Sequence, residues 1–439
     1  MQPEGPVVSR RSRSSNQPDL RRIACNPNYW YPLAWSRQLK RNKTLSVIFA
    51  GDPIALVRTD SNRVFALEDR CAHRQFPLSK GIVCCEHIQC GSWRYDASGA
   101  IRSVRYLVKG ADAPCRAVRA YSCREAYGLI FVFVGDPALA EQTAFPDVPW
   151  FHSKEYKPML FDREVGCHYT FMHENLMDMN HQILHQRLLG RLKPQLLRHS
   201  RGESWVEAQY HLSDMGGKKH RGVNWLGMGS DQDERRFDVM TIRTDYPYQT
   251  LKIAASSADA PPSLSLWVAY VPTDRQDRAN RSFGILLIRK PRVALLLSLV
   301  WPVLRHFVKS VFAEDRMAVE AEQRAYDIQG GDWNQEIFPV ILDLRELLMK
   351  HGAIRRGDDR RSVWLSGLSR PRTLADRPRL PQPHSLGEQA GPAIRWGSSS
   401  TRYPARAESS SRRARHTCYL FAEARRREAL SYRGMRRSR

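Results

Sequence analysis

Short runs of β-branched and apolar residues, broken by turn residues, fill the first third of the chain. Residues 45–50, 54–58 and 64–67 are such runs. Gly51-Asp52-Pro53 and Thr59-Asp60-Ser61-Asn62 between them carry the chemistry of tight turns. An aromatic start, Tyr29-Trp30-Tyr31, precedes them, and a further run at 128–134 closes on Gly135-Asp136-Pro137. The pattern predicts a flexible lead-in at 1–26, an antiparallel β domain at 27–140 and a linker at 138–149. Beyond it the texture changes. Residues 174–189 hold neither Pro nor Gly and stop at Gly190, which predicts a helix. Strand-like runs return at 205–212, 237–243, 264–271 and 282–289, followed by helical stretches at 303–326 and 341–350. Residues 150–352 therefore read as one α+β domain, and no internal repeat is visible.

Composition adjusts this picture at three points. At 439 residues the chain can bury two or three cores. The longest apolar run, 293–304, is a dozen residues with Pro302 inside it, short of the roughly 18–20 that a bilayer requires. A buried core helix, and no membrane span, is the expectation. The polar, Arg-rich N-terminus lacks the apolar segment of a secretory signal, so the cytoplasm is expected. Nine cysteines, four of them within residues 71–90, suggest metal in a reducing compartment rather than a disulfide scaffold. The net charge is +24, but residues 354–439 hold 21 Arg, no Lys and 7 acids, so +14 of it lies there. That segment, 353–439 as a unit, reads as a disordered basic tail. Nucleic-acid binding through it is a minor alternative, because a basic segment without a single lysine is unusual for that task.

Three constellations carry chemistry. Cys71-Ala72-His73 is followed by Cys90, then Gly91-Ser92-Trp93-Arg94-Tyr95-Asp96. A [2Fe–2S] cluster with mixed ligation takes two thiolates on one iron and two imidazoles on the other, so each half-motif must supply one Cys and one His. The first half is intact. The second has tryptophan where the histidine belongs. Cys84-Cys85-Glu86-His87 contains a literal C-x-x-H, but the loop leading to it is short and it reads as a decoy. The second constellation is Asp178, His181 and His185, stepping by three and four along one face of the expected helix. Two imidazoles so placed chelate one metal ion, and a third, carboxylate ligand would complete a facial triad for iron(II). The alternative is a solvated polar face. Third, Glu314-Asp315-Arg316 sits in an acid-rich helical stretch that would ordinarily be solvated.

In this order the three elements resemble the α subunits of the Rieske non-haem iron oxygenases, especially the aromatic O-demethylase type, over about residues 27–350. The resemblance implies an N-terminal Rieske domain followed by a helix-grip catalytic domain, with a [2Fe–2S] cluster and Fe(II) as cofactors. It implies Cys71, His73 and Cys90 as cluster ligands and His181, His185 and Asp315 as iron ligands. Asn175 and Asp178 match the N-x-x-D before the first iron histidine, and Asp178 is similar to the residue that bridges two subunits of a homotrimer. A reductase or ferredoxin, O2 and a hydrophobic, aromatic or polycyclic substrate are the implied partners. Trp205, Trp225, Trp267 and Met240 are candidates for an apolar pocket, or for ordinary core. The activity expected is hydroxylation or demethylation, impaired by the missing histidine. A non-catalytic metal-binding protein of the same fold is the alternative.

Overall fold

The computed structural model describes residues 19–105, 117–214, 238–255, 258–291 and 293–354. The basic tail after 354, with the nucleic-acid reading that depends on it, lies outside the described residues, as do residues 1–18 and Trp225.

The lead-in is structured from Asp19 onward, which corrects the expected flexible stretch to residue 26. Asp19 caps a single 3-10 turn, Leu20–Arg22, by accepting from the Arg21 backbone N–H at 3.0 Å. The short strand β1 (Ile23–Ala24) then pairs with β19 (Ala353–Ile354), tying the two ends of the described chain together. The strands of the N-terminal half are β2 (Trp30–Trp35), β3 (Lys43–Phe49), β4 (Asp52–Arg58), β5 (Val64–Glu68), β10 (Ala120–Ala126) and β11 (Leu129–Phe133). They form one sheet in the order β2-β11-β10-β5-β4-β3. A second sheet of four antiparallel strands, β6 (Ile82–Cys84), β7 (His87–Cys90), β8 (Trp93–Tyr95) and β9 (Ile101–Val104), runs in chain order.

The second half is a seven-stranded antiparallel sheet in the order β12-β18-β17-β16-β15-β14-β13. Its strands are β12 (Tyr156–Val165), β13 (Leu192–Arg201), β14 (Trp205–Asp214), β15 (Asp238–Asp245), β16 (Tyr248–Ala255), β17 (Leu264–Pro272) and β18 (Asn280–Arg289). All nine residues of β17 are buried, because both faces of the strand are covered. On one side the aromatics of β2 and β11 meet it, with Phe131 and Trp267 edge to face at 6.2 Å. On the other, Leu264, Leu266 and Leu286 pack with Leu304, Val308, Leu344 and Leu348. Those last four belong to two C-terminal helices, α3 (Ala294–Gln329) and α4 (Pro339–His351). The helices α1 (Tyr169–Met177) and α2 (Gln186–Leu189) lie between β12 and β13.

Two expectations need correcting here. The apolar run at 293–304 opens a 36-residue helix rather than a buried core helix: Leu295 is 78 % exposed and Leu299 77 %. By length and composition alone, α3 is long and apolar enough to cross a membrane. The predicted helix at 174–189 is broken. It starts earlier, at Tyr169, and α1 ends at Asp178, whose φ of −79° and ψ of 104° are extended.

A buried ion network joins α1 to both ends of the chain. The Arg21 guanidinium donates to Thr170 Oγ1 at 2.5 Å and to Glu174, and it lies over the Phe171 ring. Arg345 on α4 donates to the other Glu174 oxygen at 2.6 Å and to Asp332 at 2.5 Å. Glu174 is thus the shared anion of two almost fully buried guanidiniums. Glu174→Gln should cost about 3 kcal/mol or more in urea unfolding, since it leaves buried cations undercompensated. Arg22→Ala, which removes an exposed partner of Asp19, should cost less than about 1 kcal/mol.

Candidate metal centres

The break after α1 builds the first centre. Asp178 terminates α1 through its N–H, which donates to the Glu174 carbonyl at 2.9 Å. Its carboxylate then caps the next element, a 3-10 helix over Met179–His185, by accepting from the Asn180 backbone N–H at 2.8 Å. The tighter winding replaces the single α-helical face expected from the spacing, and it leaves Asp178 as a cap beside the histidines rather than in line with them. His181 Nδ1 closes on the Asp178 carbonyl, which leaves Nε2 as the free donor atom. His185 is buried, with Nδ1 donating to Glu314 at 2.8 Å and Nε2 lying 3.1 Å from Asp315 Oδ1. Burial opposes charge on His185, but the hydrogen bonds and fields of Asp315 and Glu314 outweigh it and hold the imidazole above its ordinary pKa.

Asp315 arrives from α3 and collects the others. Its Oδ1 accepts from the Asn175 side-chain amide at 3.0 Å and lies 3.7 Å from His181 Nε2. Ligand atoms of His181, His185 and Asp315 all fall within 4.8 Å of one another. Two imidazoles and one carboxylate converging from one side are the donor set of a facial-triad iron site, with ligand positions open on the other side. Such a site needs neighbouring ligand atoms roughly 3 Å apart around a common ion, so the residues fit with small adjustments. Glu314, as the orienting partner of His185, had no signal in the sequence beyond its place in an acidic run.

A cavity of about 50 Å³ opens beside Asp315, lined among others by Phe161, Leu176, Val268, Tyr270 and Phe312. It has room for one or two waters, not for an aromatic ring. Gly284 shapes its wall: a Cβ there would stand 2.0 Å from the Phe161 ring, so only glycine lets that ring lie against β18. Of the proposed pocket residues, Trp267 and Met240 are core, and Trp205 stacks under Arg243 at 4.1 Å, so none of these three lines the cavity. His173, one turn before the break, is fully buried with no hydrogen-bond partner on either ring nitrogen. Burial pushes its pKa down to about 3, so it is neutral.

The second centre lies between the loop after β5 and the β7–β8 hairpin. Cys71 and Cys90 are both buried, and their thiols adjoin one another; burial first, then the neighbouring Cys71 thiol, pushes Cys90 up to about 12. The Tyr95 hydroxyl lies 3.2 Å from Cys71 Sγ and accepts from the Ala72 N–H at 3.1 Å. Gly91 and Ser92 form a two-residue turn, with Gly91 at φ +56°, and Cys90 faces Trp93 as the closing pair of the β7–β8 hairpin. The Trp93 indole stacks on the exposed His73 ring, 5.4 Å between centroids and 11° between planes. An indole has no lone pair to offer a metal. Cys71, His73 and Cys90 are two thiols and one imidazole of the two-and-two set that a mixed Cys/His cluster requires, and the two-residue turn after Cys90 carries no histidine. Cys84 pairs with His87 at the far end of β7, roughly 10 Å along the strand from Cys90.

Two family models match the chain: a Rieske [2Fe-2S] domain over residues 29–121 and a vanillate O-demethylase oxygenase C-terminal domain over 165–339. The chain is similar to the 4beta-methylsterol monooxygenase of Methylococcus capsulatus, 27 % identical over 363 residues, spanning 78 % of this chain and 94 % of the relative. It is 34 % identical over 161 residues to the oxygenase component of dicamba O-demethylase from Stenotrophomonas maltophilia, spanning 36 % of this chain and 47 % of that one. The crystal structure of dicamba monooxygenase bound to dicamba shares the fold, with a TM-score of 0.58 at 22 % identity, over 74 % of this chain and 99 % of that one.

The geometry makes Glu314 a positioning residue for His185. Glu314→Gln should weaken Fe(II) binding by about 10- to 100-fold, measured by titration with the metal, without unfolding the protein. His185→Ala should abolish binding.

Proposed function

The chain belongs to the Rieske non-haem iron oxygenases, and from that premise we propose an O2-dependent hydroxylase or demethylase with a whole iron site and an impaired electron supply. The single observation carrying this reading is the turn Cys90-Gly91-Ser92-Trp93, closed where the cluster's second histidine would stand, in a chain whose His181, His185 and Asp315 converge.

The Rieske domain and the oxygenase relatives imply a Rieske [2Fe–2S] cluster and a non-haem Fe(II) centre, and a reductase or ferredoxin as electron donor. For the iron the residues fit. His181, His185 and Asp315 would hold it, and when bound it would supply the O2 chemistry of the family. Around it, Asn175 fixes one oxygen of Asp315, and Asp178 holds His181 through its carbonyl. Glu314 keeps the proton of His185 on Nδ1, so that Nε2 faces the site. Phe161, Leu176, Val268 and Phe312 form an apolar wall beside Asp315, a lining that suits a hydrophobic group. For the cluster the residues do not fit, and no step is assigned to it.

The name of the methylsterol relative, matched over nearly its whole length, favours a polycyclic substrate; the name of the dicamba relative favours an aromatic one. A homotrimer in the cytoplasm belongs to the same reading.

The test is loop restoration. Inserting two residues between Cys90 and Trp93, so that a histidine follows Cys90 in C-x-x-H spacing, should raise reductase-dependent NADH consumption with apolar aromatic and sterol substrates by about 100-fold or more. If the unaltered chain already turns over at the restored rate, the proposal fails.

A further inference from the structure

We propose that the first four turns of α3 are a docking face for an anionic lipid bilayer, on which the protein sits as a peripheral enzyme. This rests on the surface of α3 and not on the catalytic reading above. Leu295, Leu299 and Val303, at helical spacing, are 78, 77 and 61 % exposed, and Val293 and Leu296 beside them are 57 and 54 % exposed. The opposite side of the same turns is spent on the core: Leu297, Leu304 and Val308 are buried in the cluster shared with the seven-stranded sheet. The outward face is thus an apolar stripe on a helix already anchored along its inner side.

Charge identifies the occupant. From Arg289 to Ala313 the sequence contains Arg289, Lys290, Arg292, Arg305 and Lys309, and not one acid. Arg305 and Lys309 are exposed on the flank of the stripe, and Lys290 is exposed before it. On the neighbouring β12, Lys157 reaches over the Trp301 ring at 4.3 Å and donates to Ser298 at 3.2 Å. The acid Glu155 is paired with Arg289 at 3.1 Å. Apolar side chains flanked by cations, with an amphipathic tryptophan at the margin, match the acyl boundary and phosphate layer of an anionic leaflet. A second copy of this face would oppose cation to cation. The helix lies on the bilayer and does not cross it, because its inner face is packed and Asp315, on the same helix, accepts from Asn175 and lies against His185.

The test uses the full chain and sedimentation with vesicles of phosphatidylcholine, with and without about one third phosphatidylglycerol. The protein should pellet with the anionic vesicles and be released by salt. Leu295→Asp with Leu299→Asp should lower the bound fraction about tenfold, and Arg305→Glu with Lys309→Glu should remove the preference for anionic lipid. Binding that neither pair changes assigns the interaction to the Arg-rich tail and overturns the proposal. So does an oligomer that the leucine variants dissociate, with no vesicle binding. On the unaltered chain, amide hydrogen exchange should show vesicle-dependent protection at 293–309. Protection elsewhere, or none, overturns it without reliance on any variant folding.

Discussion

One carboxylate, that of Asp315, holds the catalytic half of the protein to its purpose. It is the point where α3 meets the segment after α1, accepting from Asn175 and facing both histidines. Three features of that half position one side or the other of this meeting. The break at Asp178 turns His181 and His185 toward α3. Glu174, one residue before Asn175, is clamped by Arg21 and Arg345 and so fixes α1 against both ends of the described chain. Sheet strand β17, covered on both faces, is the rigid floor on which these helices rest.

The two metal centres differ in what they ask of the backbone. The iron site needs a helix that stops and restarts, and the Asp178 cap supplies both events with one side chain. The cluster site needs an open loop between two strands. A hairpin tolerates a shorter connection well, because a two-residue turn with glycine at positive φ is among its favoured closures. The strands β7 and β8 therefore stay in register around Gly91-Ser92. The hairpin closes on two residues, and Trp93 rather than a histidine stands at its end. Trp93 then fills the space against His73, which protects the apolar surface and offers no donor to a metal.

Much of this was legible in the sequence. Alternating and β-branched runs located β3, β4, β5, β11, β14, β17 and β18, because their turns carry Gly, Pro, Asp and Asn in diagnostic places. The strands β12, β13 and β16 lack that signal: β12 and β13 carry charges and an internal proline, and β16 alternates only weakly. Histidine spacing found His181 and His185 but implied a continuous helix, since spacing alone does not separate a 3-10 turn from an α-helix. Asp178 is a strong capping residue, which was the available signal for the break. Glu314 was invisible as an individual residue, because its role exists only once α3 lies against His185. The exposed side of α3 carries no sequence signal of its own, because an apolar run looks the same whether it is covered by protein or not.

The iron site brings its donors together, and the cluster site lacks one. Iron and acid-labile sulfide, counted per chain on protein purified and reconstituted without oxygen, test this difference most directly, together with the EPR spectrum of the reduced sample. About one iron per chain, little sulfide and no Rieske signal are expected. About three irons and two sulfides per chain, with a normal Rieske spectrum, would contradict it.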